Sequence, residues 1–138
     1  VAVIGYAPGA YDLFHIGHLN ILRHARAHCD RLVAGVVDDE VIVRAKARLP
    51  IVPLAERLEI VGSIRHVDEV VVDRHVDKFE SWREFGYDVL FKGDDWRGTP
   101  RGESLEQRLG AVGATVVYFP YTMHTSSTAL RKMITESA

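Results

Sequence analysis

The chain has 138 residues, which suits one domain, and folding at that length buries enough surface for an independent core. Seventeen basic against nineteen acidic residues leave a formal charge of −2, so no global field draws it to nucleic acid or an anionic membrane. Cys29 is the only cysteine, which excludes an intrachain disulfide and a thiol-rich metal site; no leader peptide or membrane-length apolar run is visible, and a cytoplasmic location is expected.

The first strand is predicted over residues 1–6, where Val1-Ala2-Val3-Ile4 is short, apolar and rich in β-branched residues. Pro8-Gly9 breaks the pattern, and Leu19 to Ala25 resumes it with helical spacing, within a helix predicted over 17–29. His15 and His18 therefore fall at a strand-to-helix junction, three residues apart, with Gly17 between them. A helix start offers unpaired N–H groups and a partial positive charge, a glycine admits a bulky anion, and two imidazoles add hydrogen-bond donors. The junction reads as a phosphate-handling site.

A strand follows over 31–37, and Arg44 to Pro50, carrying Lys46 and Arg48, reads as a basic loop. Then come a helix over 54–65, a strand over 68–73, a helix over 78–85 with Trp82 and Phe85 on its core side, and a strand over 88–92. The segment Lys92-Gly93-Asp94-Asp95-Trp96 leads into a surface loop from Arg97 to Glu103. A helix near 103–112, a strand over 115–119 and a helix over 126–136 complete the chain. Strands alternating with helices predict an α/β fold: one domain over 1–138, a Rossmann-like parallel sheet of about five strands with helices on both faces. Ligands of such sheets bind beyond the carboxyl ends of the strands, so three motif-bearing loops should meet on one rim.

Zinc is a second reading of the histidines, since His15, His18, His24 and His28 have helical spacing. The spacing does not repeat that of a zinc site, and no acidic or cysteine partner completes it, so no metal ligand set is assigned. The string His15-Ile16-Gly17-His18 also occurs in class I aminoacyl-tRNA synthetases. This chain is far too short for one and lacks their distant lysine-rich signature.

Gly9 to His18 resembles the signature of the HxGH nucleotidylyltransferase superfamily. Ile64-Arg65-His66-Val67-Asp68-Glu69-Val70, Lys92 to Gly98 and Ser126 to Arg131 are similar to segments of its cytidylyltransferases, most nearly the glycerol-3-phosphate type. The resemblance implies transfer of CMP from CTP to a small phosphorylated alcohol, with glycerol 3-phosphate the leading acceptor and Mg²⁺ carried mainly by the nucleotide phosphates. It implies no nucleic-acid or membrane partner, and a homodimer. His15, His18, Lys46 and Arg57 would be catalytic. Gly9, Ala10, Tyr11, Gly17, Arg48, Arg65, Asp68, Gly93, Asp95, Trp96, Thr122, Ser126, Ser127 and Thr128 would bind the nucleotide. Asp12, Tyr121, His124 and Arg131 would stand near the acceptor or metal. Two departures matter: Tyr121-Thr122-Met123-His124 stands where such enzymes carry Arg-Thr-x-Gly, and the stretch between Trp96 and Tyr121 is longer, adding Arg97, Arg101 and Arg108. An adenylyltransferase using ATP, and a nucleotide-binding regulatory module without catalysis, are the alternatives.

Overall fold

A computed structural model describes residues 2–120 and 126–137. Five strands, β1 (Ile4–Gly9), β2 (Arg31–Val37), β3 (Glu69–Asp73), β4 (Val89–Gly93) and β5 (Thr115–Phe119), form one parallel sheet in the order β3-β2-β1-β4-β5. Helices α1 (Ile16–Arg26), α2 (Asp39–Lys46), α3 (Leu54–Gly62), α4 (Lys78–Phe85), α5 (Pro100–Ala111) and α6 (Ser127–Ser137) make the crossovers and the final element. The predicted fold class holds.

The sheet is buried on both faces, as the near-continuous apolar strands require. Leu32, Ala34 and Val36 of β2 pack with Leu22 and Ala25 of α1 and Val61 of α3. On the opposite face Tyr6, Val33 and Leu90 pack with Leu105 and Leu109 of α5. The strand alternation thus separates two helical layers.

α1 and α3 each end three residues earlier than expected, at Arg26 and Gly62, and three other boundaries differ in ways that bear on the site. β1 runs to Gly9, because its pairing with β2 continues to Gly9–Val36 after that with β4 has ended at Tyr6–Leu90, and the freed edge accommodates Pro8, which has no N–H. Arg44 to Lys46 close a helix instead of opening a loop. Its buried side is only Val41 and Ile42, too few positions to show a helical period, and Ala47 ends it in the left-handed region at φ 57°. α5 begins at Pro100, since Thr99 caps it by accepting from the Gly102 N–H, and proline at the first position costs no hydrogen bond.

Candidate active site

Strand order reverses between β1 and β4, and a cavity of about 340 Å³ opens there. The two strands pair only at Gly5–Val89 and Tyr6–Leu90. Beyond that point Pro8 and Gly9 on one side, and Phe91 to Gly93 on the other, become walls of the cavity.

The loop from β1 into α1 is held in an unusual conformation. Tyr11 and Leu13 both take positive φ, 54° and 50°, an arrangement that costs free energy and needs support. Tyr11 is buried, and its hydroxyl donates to the Ala7 carbonyl at 2.7 Å. Asp12 accepts from the Ile51 and Val52 N–H groups, both at 2.9 Å, and from Arg131 at 3.0 Å. Burial pushes the Asp12 carboxyl up, but these donors outweigh it and hold it below the ordinary carboxylate range.

His15 and His18 begin α1 with a reciprocal cap made of two imidazoles. His15 is the N-cap residue, and its Nδ1 accepts from the Gly17 N–H at 3.0 Å. His18 reaches back, its Nδ1 accepting from the His15 N–H at 3.2 Å. The ring centroids lie 4.1 Å apart, and both residues line the cavity. Each Nδ1 is an acceptor, so each neutral ring carries its proton on Nε2. The motif thus ties its own helix start and presents two Nε2–H donors to the cavity.

Burial, then the neighbouring His15, holds His18 down to about 4, with Asp12 offsetting only part; burial lowers His15 as well. Both rings are neutral at pH 7. The unfolded His18 takes its proton near pH 6.5, so between about 4 and 6.5 the unfolded state binds more protons than the folded one. His18 stabilisation is therefore complete above 6.5 and is lost as pH falls through that window, with a slope of at most about 1.4 kcal/mol per pH unit. Urea unfolding from pH 7 to 4.5 should show this loss, and His18→Asn, which keeps an acceptor near the Nδ1 position, should flatten it. Equal slopes in the two proteins would contradict a buried neutral His18.

Two further elements close the cavity. Lys46, the last residue of α2, and Arg48 just beyond it face the histidines, and burial beside Arg48 and Arg131 lowers the Lys46 ammonium. Ser126, Ser127, Thr128 and Arg131 line the cavity from the start of α6. Ser126 Oγ accepts from the Ala129 N–H at 3.0 Å, capping the helix, and Ser127 Oγ donates to the Asp12 carbonyl at 2.6 Å. Two helix N-termini and four cationic side chains, Lys46, Arg48, Lys92 and Arg131, therefore share one space, an arrangement that binds phosphate groups.

Gly9, Ala10, Tyr11, Gly17, Gly93 and Asp95 also line this cavity. Four expected residues do not. Arg57 is fully buried: Nε donates to the Val52 carbonyl, Nη1 to those of Ala10 and Val37, and Nη2 to Asp39. It braces the backbone behind the site, and the catalytic contact expected of it is corrected to a structural one. Arg65 and Asp68 precede β3, at the amino ends of the strands, away from the cavity; Asp68 is occupied by the Leu32 N–H and Arg26. Trp96 lines an adjoining chamber instead. Tyr121, Thr122 and His124 lie outside the described residues. Lys92, quoted within its motif but given no role, lines the cavity as the penultimate residue of β4. Its position one residue before a loop on the ligand rim was the signal available.

These features define a parallel α/β protein whose switch-point cavity is built for phosphate groups. The cytidylyltransferase-like family profile matches residues 6–133, and the chain belongs to that family. It is 39% identical over 95 residues to the bifunctional protein HldE of Gluconacetobacter diazotrophicus, covering 68% of this chain and 20% of that protein. It is 41% identical over 95 residues to the ethanolamine-phosphate cytidylyltransferase of Arabidopsis thaliana, covering 65% of this chain and 22% of that one. The chain thus spans about a fifth of the length of these two relatives. With the FAD synthase of Pyrococcus abyssi it shares 32% identity over 116 residues, covering 82% of this chain and 77% of that one. The crystal structure of a lipopolysaccharide core biosynthesis protein from Thermoplasma volcanium superposes with a TM-score of 0.74 at 22% identity, covering 91% of this chain and all of that one, which shows a shared fold.

Proposed function

We propose that this chain transfers a nucleotidyl group, CMP from CTP, to the phosphate of a small phosphorylated alcohol and releases pyrophosphate. Glycerol 3-phosphate is the leading acceptor, and the reading includes a cytoplasmic homodimer. The observation that carries it is the pair of neutral imidazoles locked as Nε2–H donors beside Lys46, Arg48 and the start of α6.

The acceptor is a phosphate monoester, already anionic at neutral pH, so its oxygen attacks the α-phosphorus without a general base. A new oxygen–phosphorus bond forms, the bond from the α-phosphorus to the bridging oxygen breaks, and pyrophosphate departs with that electron pair. No proton need be removed. The chain's part is to position the reactants and to meet charge that grows on the phosphoryl oxygens. His15 and His18 donate from preset positions, while Lys46, Arg48 and Arg131 supply countercharge. Mg²⁺ fits this site as an ion carried by the nucleotide. Among the described residues no group of three His, Cys, Asp or Glu side chains could hold a metal, and both Asp12 oxygens already have donors. When bound through phosphate oxygens and water, the ion would screen the triphosphate charge.

ATP in place of CTP is the second reading, favoured by the FAD synthase relative, most of whose length this chain spans. Pyrophosphate release measured over a matrix of triphosphates and phosphorylated acceptors tests both. Activity with ATP alone would overturn the CTP assignment, and release with no pair would overturn transfer itself. In the same assay Lys46→Ala should raise the triphosphate KM and lower turnover, each by roughly tenfold, as expected for losing one charge-assisted phosphate contact. Unchanged constants would leave Lys46 a surface cation only.

A further inference from the structure

Beside the histidine cavity lies a second chamber of about 210 Å³. Pro8, Gly9, Ala10, Ile42, Lys46 and Lys92 border both spaces and form their common wall. Beyond that wall the lining is partly apolar, from Val41 and Val76 among others, and ends at Lys78, Trp96 and Arg101. Four cations therefore line this chamber, and no carboxylate does among the described residues.

Three of these side chains, those of Lys78, Lys92 and Arg101, are held in place. Lys78 lies 3.2 Å from the fully buried Asp73, which also accepts from Tyr6 and Ser81, and donates to the His75 carbonyl at 2.6 Å. Lys92 Nζ sits 4.0 Å from the Trp96 ring centroid, and the Arg101 guanidinium carbon sits 4.2 Å from it. The aromatic surface that would otherwise suit an ammonium group already bears two cations. Burial lowers the Lys46 and Lys92 ammonium groups and Asp95 favours their charged forms, but Asp95 lines the histidine cavity and not this chamber.

We propose that the second chamber holds the body of the acceptor, and that its charge selects phosphorylated polyols, sugars or acids and rejects aminoalcohol phosphates. The proposal rests on the transfer reading above. An acceptor phosphate at the common wall would meet Lys46 and Lys92, next to the space that holds the nucleotide phosphates. Hydroxyl or carboxylate groups behind it would find donors in Arg101 and Lys78. An ammonium in the same place would face Lys46, Lys92 and Arg101, while Asp73 is engaged by Lys78 and Asp95 lines the neighbouring cavity, and rejection of this kind is strong in a confined site.

The test compares glycerol 3-phosphate, a hexose 1-phosphate and phosphoethanolamine as acceptors, by pyrophosphate release at a saturating triphosphate. Either hydroxylated acceptor should exceed phosphoethanolamine in kcat/KM by about 100-fold or more, given the cost of like charges in contact. Arg101→Glu should narrow that ratio at least about tenfold, and Lys92→Met should raise the acceptor KM about tenfold, more than it raises the triphosphate KM. Circular dichroism checks that each variant is folded, and Lys92→Arg should restore most of the acceptor affinity. Preference for phosphoethanolamine, or an unchanged ratio in Arg101→Glu, overturns the proposal. If no acceptor releases pyrophosphate, the transfer reading fails, and calorimetric titration of the same three compounds still decides the chamber's chemistry. Binding of a hydroxylated phosphate that is lost in Lys92→Met supports it; equal or tighter binding of phosphoethanolamine, or no binding of any compound, overturns it.

Discussion

Replacing His18 by alanine should lower turnover by roughly 10²–10³-fold, the loss expected when one preorganised transition-state donor is removed. The imidazole performs two tasks, since Nδ1 caps the His15 N–H and leaves Nε2–H for the phosphoryl group. Two other substitutions separate them. Asparagine places an oxygen near the Nδ1 position and should retain most of the cap while losing the donor. Glutamine reaches the Nε2 position with an amide N–H and should recover part of the turnover, at about 1 kcal/mol of helix-cap stability. Steady-state kinetics paired with urea unfolding reads both quantities. Near-wild-type turnover in a folded His18→Ala protein would refute the assigned role.

Arg57→Met should act on stability. Four hydrogen-bond partners lose their donor together, three of them backbone carbonyls that hold the β1–α1 loop, the end of β2 and the turn before α3. Leaving such groups unpaired in the interior costs about 3 kcal/mol or more, a large share of a small domain's stability. Denaturant unfolding should register the loss. At a temperature where the variant is still folded, the KM for acceptor should stay near the wild-type value, because the guanidinium does not line the cavity. Unchanged stability with a strongly raised acceptor KM would restore Arg57 to the substrate.

Much of the site was legible locally because its parts are local. The strand, the tight loop and the helix start occupy Ile4 to His18, and the capping bonds of His15 and His18 span only two and three residues. The parallel α/β class followed from five apolar runs separated by helical spacing, a pattern that needs no knowledge of pairing. Lys46, Ser126, Ser127 and Arg131 were placed in the site by resemblance, and the cavity brings them together.

Arg57, Arg65 and Asp68 show where such reasoning ends. An arginine in a helical pattern looks the same whether it faces a substrate or three carbonyls, and burial is settled only when α3 docks on the sheet. Asp68 lies directly before β3, and strand direction alone sends it to the rim opposite the ligand. The sequence by itself determined the fold class and the histidine helix start, because periodicity and caps act over a few residues. Only the tertiary structure decided which cations share a chamber, since Lys46, Lys78, Lys92 and Arg101 stand on separate elements. Their neighbourhood depends on the order in which β1 and β4 lie side by side.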